Sequence, residues 1–228
     1  KTLRSMLWPI VPYRYSAQPL VDAVRSVLGD MKMGDYWDAA PPKDIVIVVR
    51  DLTRNRSCFI KSWKPEYRDW PVWKAVLASS SVPTYFPVVE GCYVDGGVGS
   101  YSNPCYVAAY EAVYCQKWDP KETTLISIGS GRTPKALKPH QADRFISIQW
   151  LSPMLDTFLD SANDQQVHTV SQFFPDMDFR RFQIDIPPIG MDDVSKMDVL
   201  TEYGKILGQM ILNDQIDTGP YQPASVPS

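Results

Sequence analysis

A chain of 228 residues with 44% hydrophobic side chains is long enough to bury one sizeable core. A net charge of −3 and a pI near 5.4 leave no electrostatic footprint for nucleic acid, and no apolar run of about 18 residues marks a membrane span. The amino end has no signal-peptide pattern. Cys58, Cys92, Cys105 and Cys115 follow neither zinc-site nor thioredoxin spacing, so free thiols in a reducing, cytoplasmic setting are expected.

In chain order, helical and extended patterns alternate, which predicts an α/β layer fold. Pro19 to Leu28 reads as a helix, with Ser16 as candidate cap, Leu20, Val24, Val27 and Leu28 on one face, and Gly29 as its stop. Ile45 to Val49 is apolar on both faces, the pattern of a central parallel strand. Ser57 to Lys61 reads as its partner, and Val72 to Ser80 as a short helix entering a serine-rich turn. Tyr93-Val94 is a strand that delivers Asp95.

Asn103 to Cys115 is predicted helical, capped by Asn103, with Pro104 in the first turn and Val107, Ala108, Ala112 and Val113 inward. Leu125 to Ile128 reads as a buried strand ending at Gly129-Ser130-Gly131. A long helix from Pro153 to Phe173, a strand from Arg181 to Ile186 and a last helix from Val194 to Leu212 follow. Residues 1–217 are expected to form the folded domain. The proline-containing stretch 218–228 is expected to be a mobile tail.

The most informative motif is Asp95-Gly96-Gly97. A strand running into a double glycine holds one carboxylate where backbone can approach it closely. Alone, the motif reads first as an aspartate capping a turn, which aspartate often does. Its surroundings, Ala78-Ser79-Ser80-Ser81-Val82-Pro83 before it and Ser102-Asn103-Pro104 after it, resemble the second signature block of the patatin-like phospholipases. Tyr15 to Leu20, Leu28-Gly29-Asp30, Ile45 to Asp51 and Leu125 to Gly131 follow the same family order, with Ser130 in place of the usual threonine.

The resemblance implies a three-layer α/β/α sandwich of patatin-like type, of which this chain is the central and carboxyl portion, incomplete at its N-terminal side. It implies a lipid acyl hydrolase of phospholipase A or carboxylic esterase type, using a Ser-Asp dyad. Asp95 would be the base, and Gly96 and Gly97 the active-site turn. The family's serine stands in Gly-x-Ser-x-Gly, and no serine here has glycine at both −2 and +2. Ser130 comes nearest, with its glycines as immediate neighbours. The nucleophile is therefore expected on a missing N-terminal part or a second chain, and this chain alone is expected to be inactive. The alternative is a catalytically silent scaffold or regulatory fragment.

Phospholipid or another lipid ester is the implied substrate, with a peripheral membrane surface as partner and no nucleic acid, metal or cofactor. Trp63, Trp70 and Trp73 serve either core packing or a lipid interface. His140 and His168, the two histidines, stand in no catalytic motif. Asp176 with Asp178, or Asp192 with Asp193, lack the spaced oxygens of a calcium loop and read as solvated turns. Arg180-Arg181 and Arg144 are candidates for lipid head groups or for ordinary ion pairs.

Overall fold

A computed structural model describes residues 12–133, 140, 142–146 and 151–217; of 144 and 151–160 it describes the backbone. The expected tail 218–228 lies outside the described residues. The chain divides into two compact units, Lys1–Ser102 and Asn103–Ser228. Both mix helices with a small sheet, so the expected α/β class holds at that level.

The first unit carries α1 (Gln18–Leu28), α2 (Met33–Trp37), β1 (Val46–Asp51), β2 (Arg56–Lys61), α3 (Val72–Ser79) and β3 (Tyr93–Asp95). Helix α1 begins with proline in its first turn, and the Ser16 hydroxyl accepts the Gln18 N–H at 3.3 Å. Gly29, at φ 61°, closes it. Val27, expected inward, is exposed, whereas Val21 is half-buried. Positions 17, 21, 24 and 28 follow the 3.6-residue period, and position 27 falls off that stripe. Helix α2 was not legible in the sequence pattern; the Asp35 carboxylate starts it by accepting the Lys32 N–H at 2.8 Å.

The sheet order is β2-β1-β3, and both pairings are antiparallel. The expectation of a parallel central strand is thereby corrected. A parallel partner needs a crossover of a dozen or more residues, whereas β1 turns directly into β2 through Leu52 to Asn55. The buried Asp51 carboxylate organises that turn, accepting from the Thr53 N–H at 2.9 Å, the Thr53 hydroxyl at 2.7 Å and the Arg54 N–H at 3.1 Å. Asn55 closes it at φ 49°.

Strand β1 is nonetheless covered on both faces, as its apolar run requires. Val49 and Ile60 pack with Met33, Tyr67, Val72, Ala75 and Ala78 on the helical side. On the other side the chain after β3 folds back. Tyr101 stacks edge-on to Phe59 with centroids 5.4 Å apart, and the Ser57 hydroxyl donates to the Gly99 carbonyl at 3.1 Å. Trp70 lies edge-on to Tyr67 and Tyr93, so it serves packing, and Trp63 and Trp73 are half-buried beneath Lys61 and Arg25.

The second unit carries α4 (Cys105–Tyr110), a π-helical turn (Glu111–Cys115), β4 (Thr124–Ile128), α5 (Leu151–Phe173), β5 (Asp178–Phe182) and α6 (Met197–Leu212). Asn103 caps α4 as expected, its Oδ1 accepting the Cys105 N–H at 3.2 Å. Ala109 rather than Ala108 faces inward, with Val107 and Cys105. Strands β4 and β5 pair in parallel, Ser127 opposite Arg181. The last strand runs Asp178–Phe182, upstream of the expected 181–186. Its register explains the shift: Phe179 and Phe182 reach the core, and the chain beyond joins only through an isolated Arg132–Asp185 bridge. Strand β4 is buried on one face alone, since Ile126 and Ile128 are exposed. Among the described residues no helix is long and apolar enough to cross a membrane.

Candidate active site

The carboxylate singled out in the sequence sits at the end of β3, opposite Val49 of the central strand. Its position is set from three sides. The Asp95 N–H donates to the Ser81 carbonyl at 3.1 Å. Its Oδ1 accepts the Gly97 N–H at 2.6 Å, capping a 3-10 turn over Gly96–Gly99. Behind it, Gly96 lies flat against β1: a Cβ there would stand 2.5 Å from the Val48 carbonyl oxygen. At Gly97 a Cβ would meet Asp95 Oδ1 at 3.0 Å. The two glycines are thus required for different reasons, one by the strand behind and one by the carboxylate ahead.

Asp95 is partly sheltered, and burial holds its carboxyl above the ordinary value of 3.8 against the opposing pull of the Gly97 N–H. Among the described residues no side chain donates to it, and Oδ2 has no hydrogen-bond partner. A carboxylate with one oxygen tethered to backbone, the other open, and a raised proton affinity is suited to taking a proton from a hydroxyl.

The serines just upstream are committed elsewhere. Ser79 Oγ donates to the Val48 carbonyl, Ser80 Oγ to Val76 and Ser81 Oγ to Leu77, each at 2.8 Å. The last two close carbonyls at the end of α3, and the first ties that helix to β1. This structural use of the Ser79-Ser80-Ser81 run was not read from the sequence. Its signal is three short hydroxyls at a helix end without glycine to terminate it.

Residues 4–109 match the patatin-like phospholipase family. This stretch of the chain is patatin-like. The match takes in the Asp95-Gly96-Gly97 turn and ends within the patatin-like helix α4, after Asn103-Pro104. At the level of the family it points to lipid hydrolysis. No curated protein matches the chain.

The other sequence candidates are not drawn into one place. His140 Nδ1 lies 2.9 Å from Asp143 Oδ2, and His168 is exposed on α5. Asp178 pairs with Arg180, which also reaches Asp214, and Asp193 caps the turn before α6. Among the described residues no three His, Cys, Asp or Glu side chains gather as a metal site. Arg181 is buried, donating to the Ser127 hydroxyl at 2.8 Å, so it is a core residue rather than a lipid contact. The Arg144 side chain lies outside the described atoms. The cysteines whose environments are described are thiols without disulfide partners, and burial pushes the Cys105 thiol up to about 11. In Gly129-Ser130-Gly131 the Gly131 N–H donates to Gln183 Oε1 at 3.2 Å, which makes the segment a strand-end turn.

Proposed function

We propose that this chain belongs to a lipid acyl hydrolase in which Asp95 is the base of a Ser-Asp dyad. The observation that carries the reading is the Asp95 carboxylate, tethered by Gly97, open at Oδ2 and raised in proton affinity by burial. The nucleophilic serine is contributed from outside these 228 residues, because none of their serines stands in a Gly-x-Ser-x-Gly elbow. In the reaction the serine hydroxyl gives its proton to Asp95 as its oxygen bonds the ester carbonyl carbon. The tetrahedral intermediate collapses, the alcohol leaves with that proton, and water then hydrolyses the acyl-serine by the same route. The sheets and helices are read as parts of a three-layer α/β/α sandwich completed by the part that bears the serine.

The alternative is a silent scaffold, favoured by the commitment of Ser79, Ser80 and Ser81 to carbonyls. Intact mass and fluorophosphonate labelling of the protein purified from its source separate the two. Labelling of a larger species or a co-purifying chain, abolished in turnover by Asp95→Asn, supports the hydrolase. An intact mass of 25.8 kDa with no labelling supports the scaffold and overturns it.

A further inference from the structure

The β1–β2 hairpin gathers positive charge at its tip. Arg50 stands at the end of β1, Arg54 in the turn and Arg56 at the start of β2. The turn carries one acid, Asp51, and that carboxylate is buried, with Thr53 and Arg54 as its hydrogen-bond donors. Arg54 Nε lies 3.8 Å from Asp51 Oδ2, and the Arg54 side chain stays 61% exposed. Arg50 and Arg56 form no ion pair among the described residues. Two further carboxylates stand near the tip, and neither answers these charges. Glu90 acts on Cys92 beside the turn but is already paired with Lys74 at 2.7 Å. Asp95 lies two residues along β3 from Tyr93, the partner of Asp51, and no arginine contributes to the perturbation of its carboxyl. Three arginines against Asp51 leave a surplus of two positive charges on a chain whose net charge is −3.

The tip is held in place rather than left loose. Arg50 Nη2 donates to the Asn55 carbonyl at 2.8 Å and to Asn55 Oδ1 at 2.6 Å. Both acceptors are neutral, so the guanidinium is fixed while its charge is kept. The stem of Arg50 lies along the Gly96–Gly99 turn that follows Asp95: a Cβ at Gly99 would stand 3.2 Å from Arg50 Cδ. Leu52, between Arg50 and Arg54 in sequence, is 50% exposed, and its N–H donates to the Cys92 carbonyl at 2.9 Å. One aliphatic side chain presented among fixed guanidinium groups specifies the partner. Guanidinium forks match phosphate oxygens, and an exposed leucine gains by entering hydrocarbon. An acidic phospholipid surface offers anionic phosphate outside and hydrocarbon beneath, whereas nucleic acid offers the phosphate without the hydrocarbon.

We propose that the β1–β2 tip docks the protein on an anionic phospholipid surface, with Arg50, Arg54 and Arg56 meeting lipid phosphates and Leu52 entering the acyl layer. The proposal rests on the lipid-hydrolase reading, to which it adds the charge class of the lipid surface and the segment that meets it.

The test is flotation of the full-length protein with vesicles of phosphatidylcholine, plain or doped with phosphatidylserine, at about 0.1 M salt. Wild type floats with the doped vesicles and much less with the plain ones. Arg50→Gln with Arg56→Gln lowers partition onto doped vesicles about twentyfold, roughly fivefold for each arginine. Leu52→Ser lowers partition onto both compositions. Lys43→Gln, at an exposed lysine ahead of β1, removes an equal charge elsewhere and leaves partition unchanged. Raising salt to about 0.5 M releases wild type from the doped vesicles, which reads the same contact without any substitution. Absence of wild-type flotation overturns the proposal, as does equal binding to the two compositions or unchanged partition of the double variant. A loss in Lys43→Gln as large as that for one arginine assigns the binding to overall charge and also overturns it. Capture of an acidic peptide or RNA in place of the vesicles has the same consequence. Turnover of a soluble short-chain ester is read in parallel. Turnover without flotation defeats the docking tip alone, and flotation without turnover defeats the hydrolase reading alone.

Discussion

Replacing Gly96 by alanine tests how closely the Asp95 turn is pressed onto the sheet. The added Cβ would stand 2.5 Å from the Val48 carbonyl oxygen, 2.9 Å from its carbon and 3.1 Å from Val48 Cβ. These are atoms of the middle strand. That strand is paired on one side with Phe59 and on the other with Asp95, and its Val48 carbonyl already accepts the Ser79 hydroxyl. Retreat of either chain by the several tenths of an ångström required would break a ladder. Gly96 is not among the glycines with positive φ, so the cost is steric rather than conformational. Overpacking of this kind costs about 2 to 3 kcal/mol, which at a urea m-value of about 1–3 kcal/mol/M lowers the midpoint by roughly 1 M. Urea unfolding followed by tryptophan fluorescence measures it, since Trp70 packs directly on Tyr93. Gly208→Ala in α6 is the counter-experiment: nothing lies within 4 Å of its added Cβ, so helix propensity alone acts and stability rises by about 0.5–1 kcal/mol. A Gly96→Ala chain that unfolds at the wild-type midpoint would refute the close approach.

Asp95 binds its proton more tightly folded than unfolded, so its contribution to stability falls as pH rises from its ordinary 3.8 through the raised native value. Asp95→Asn removes that loss. It should be at least as stable as wild type at neutral pH, read from denaturation midpoints across the acid range, and progressive destabilisation toward neutrality would count against the burial argument. Asp51 behaves oppositely: the Thr53 hydroxyl, then the Arg54 and Thr53 N–H groups, hold its carboxyl below 3.8. Its stabilisation is present above the unfolded value and disappears as pH falls through the lowered native value, so Thr53→Val should move the acid-unfolding midpoint to higher pH. Asn103→Ala deprives both the Cys105 N–H and the Ser127 hydroxyl of their acceptor. It should cost about 1–2 kcal/mol, with Asn103→Ser recovering part of it in thermal melts.

What the sequence could reveal followed from how local each signal is. The turn at Asp95-Gly96-Gly97, the cap at Asn103 and the stop at Gly29 depend on residues within a few positions, and all three stand where the pattern placed them. Pairing direction is a different matter. Ile45 to Val49 is apolar on both faces whether its neighbours are parallel or antiparallel, because burial on two sides is all that such a run records. The deciding feature was the short turn ordered by Asp51, whose carboxylate looks like any other polar loop residue until its three donors are seen. Strand β4 shows the converse. Ile126 and Ile128 have the composition of buried positions, yet the two-stranded sheet leaves their face open. Helix α2 is five residues long, too short for any periodicity to register.

The candidate site follows the same logic one level up. Nothing in Val48, Ser57, Phe59 or Ser79 suggests a connection to Asp95, since each is an ordinary strand or helix-end residue. Their role appears only when β1 and β2 form a platform on which residues 96–101 lie. Ser79 fixes the Val48 carbonyl from the helix, Ser57 holds Gly99, and Phe59 seats Tyr101. Gly96 then has no freedom to move toward the strand, and the Gly97 N–H is presented to Asp95 Oδ1. A carboxylate oriented this way needs no second side chain to aim it. In a triad a third group orients an imidazole through its second nitrogen; here backbone clamped to a three-stranded sheet performs the orienting. Among the described residues the open oxygen is the one part of the Asp95 carboxylate without a hydrogen-bond partner. That separation, one oxygen held by backbone and one open, is what the proposed role as a single-carboxylate base asks of Asp95.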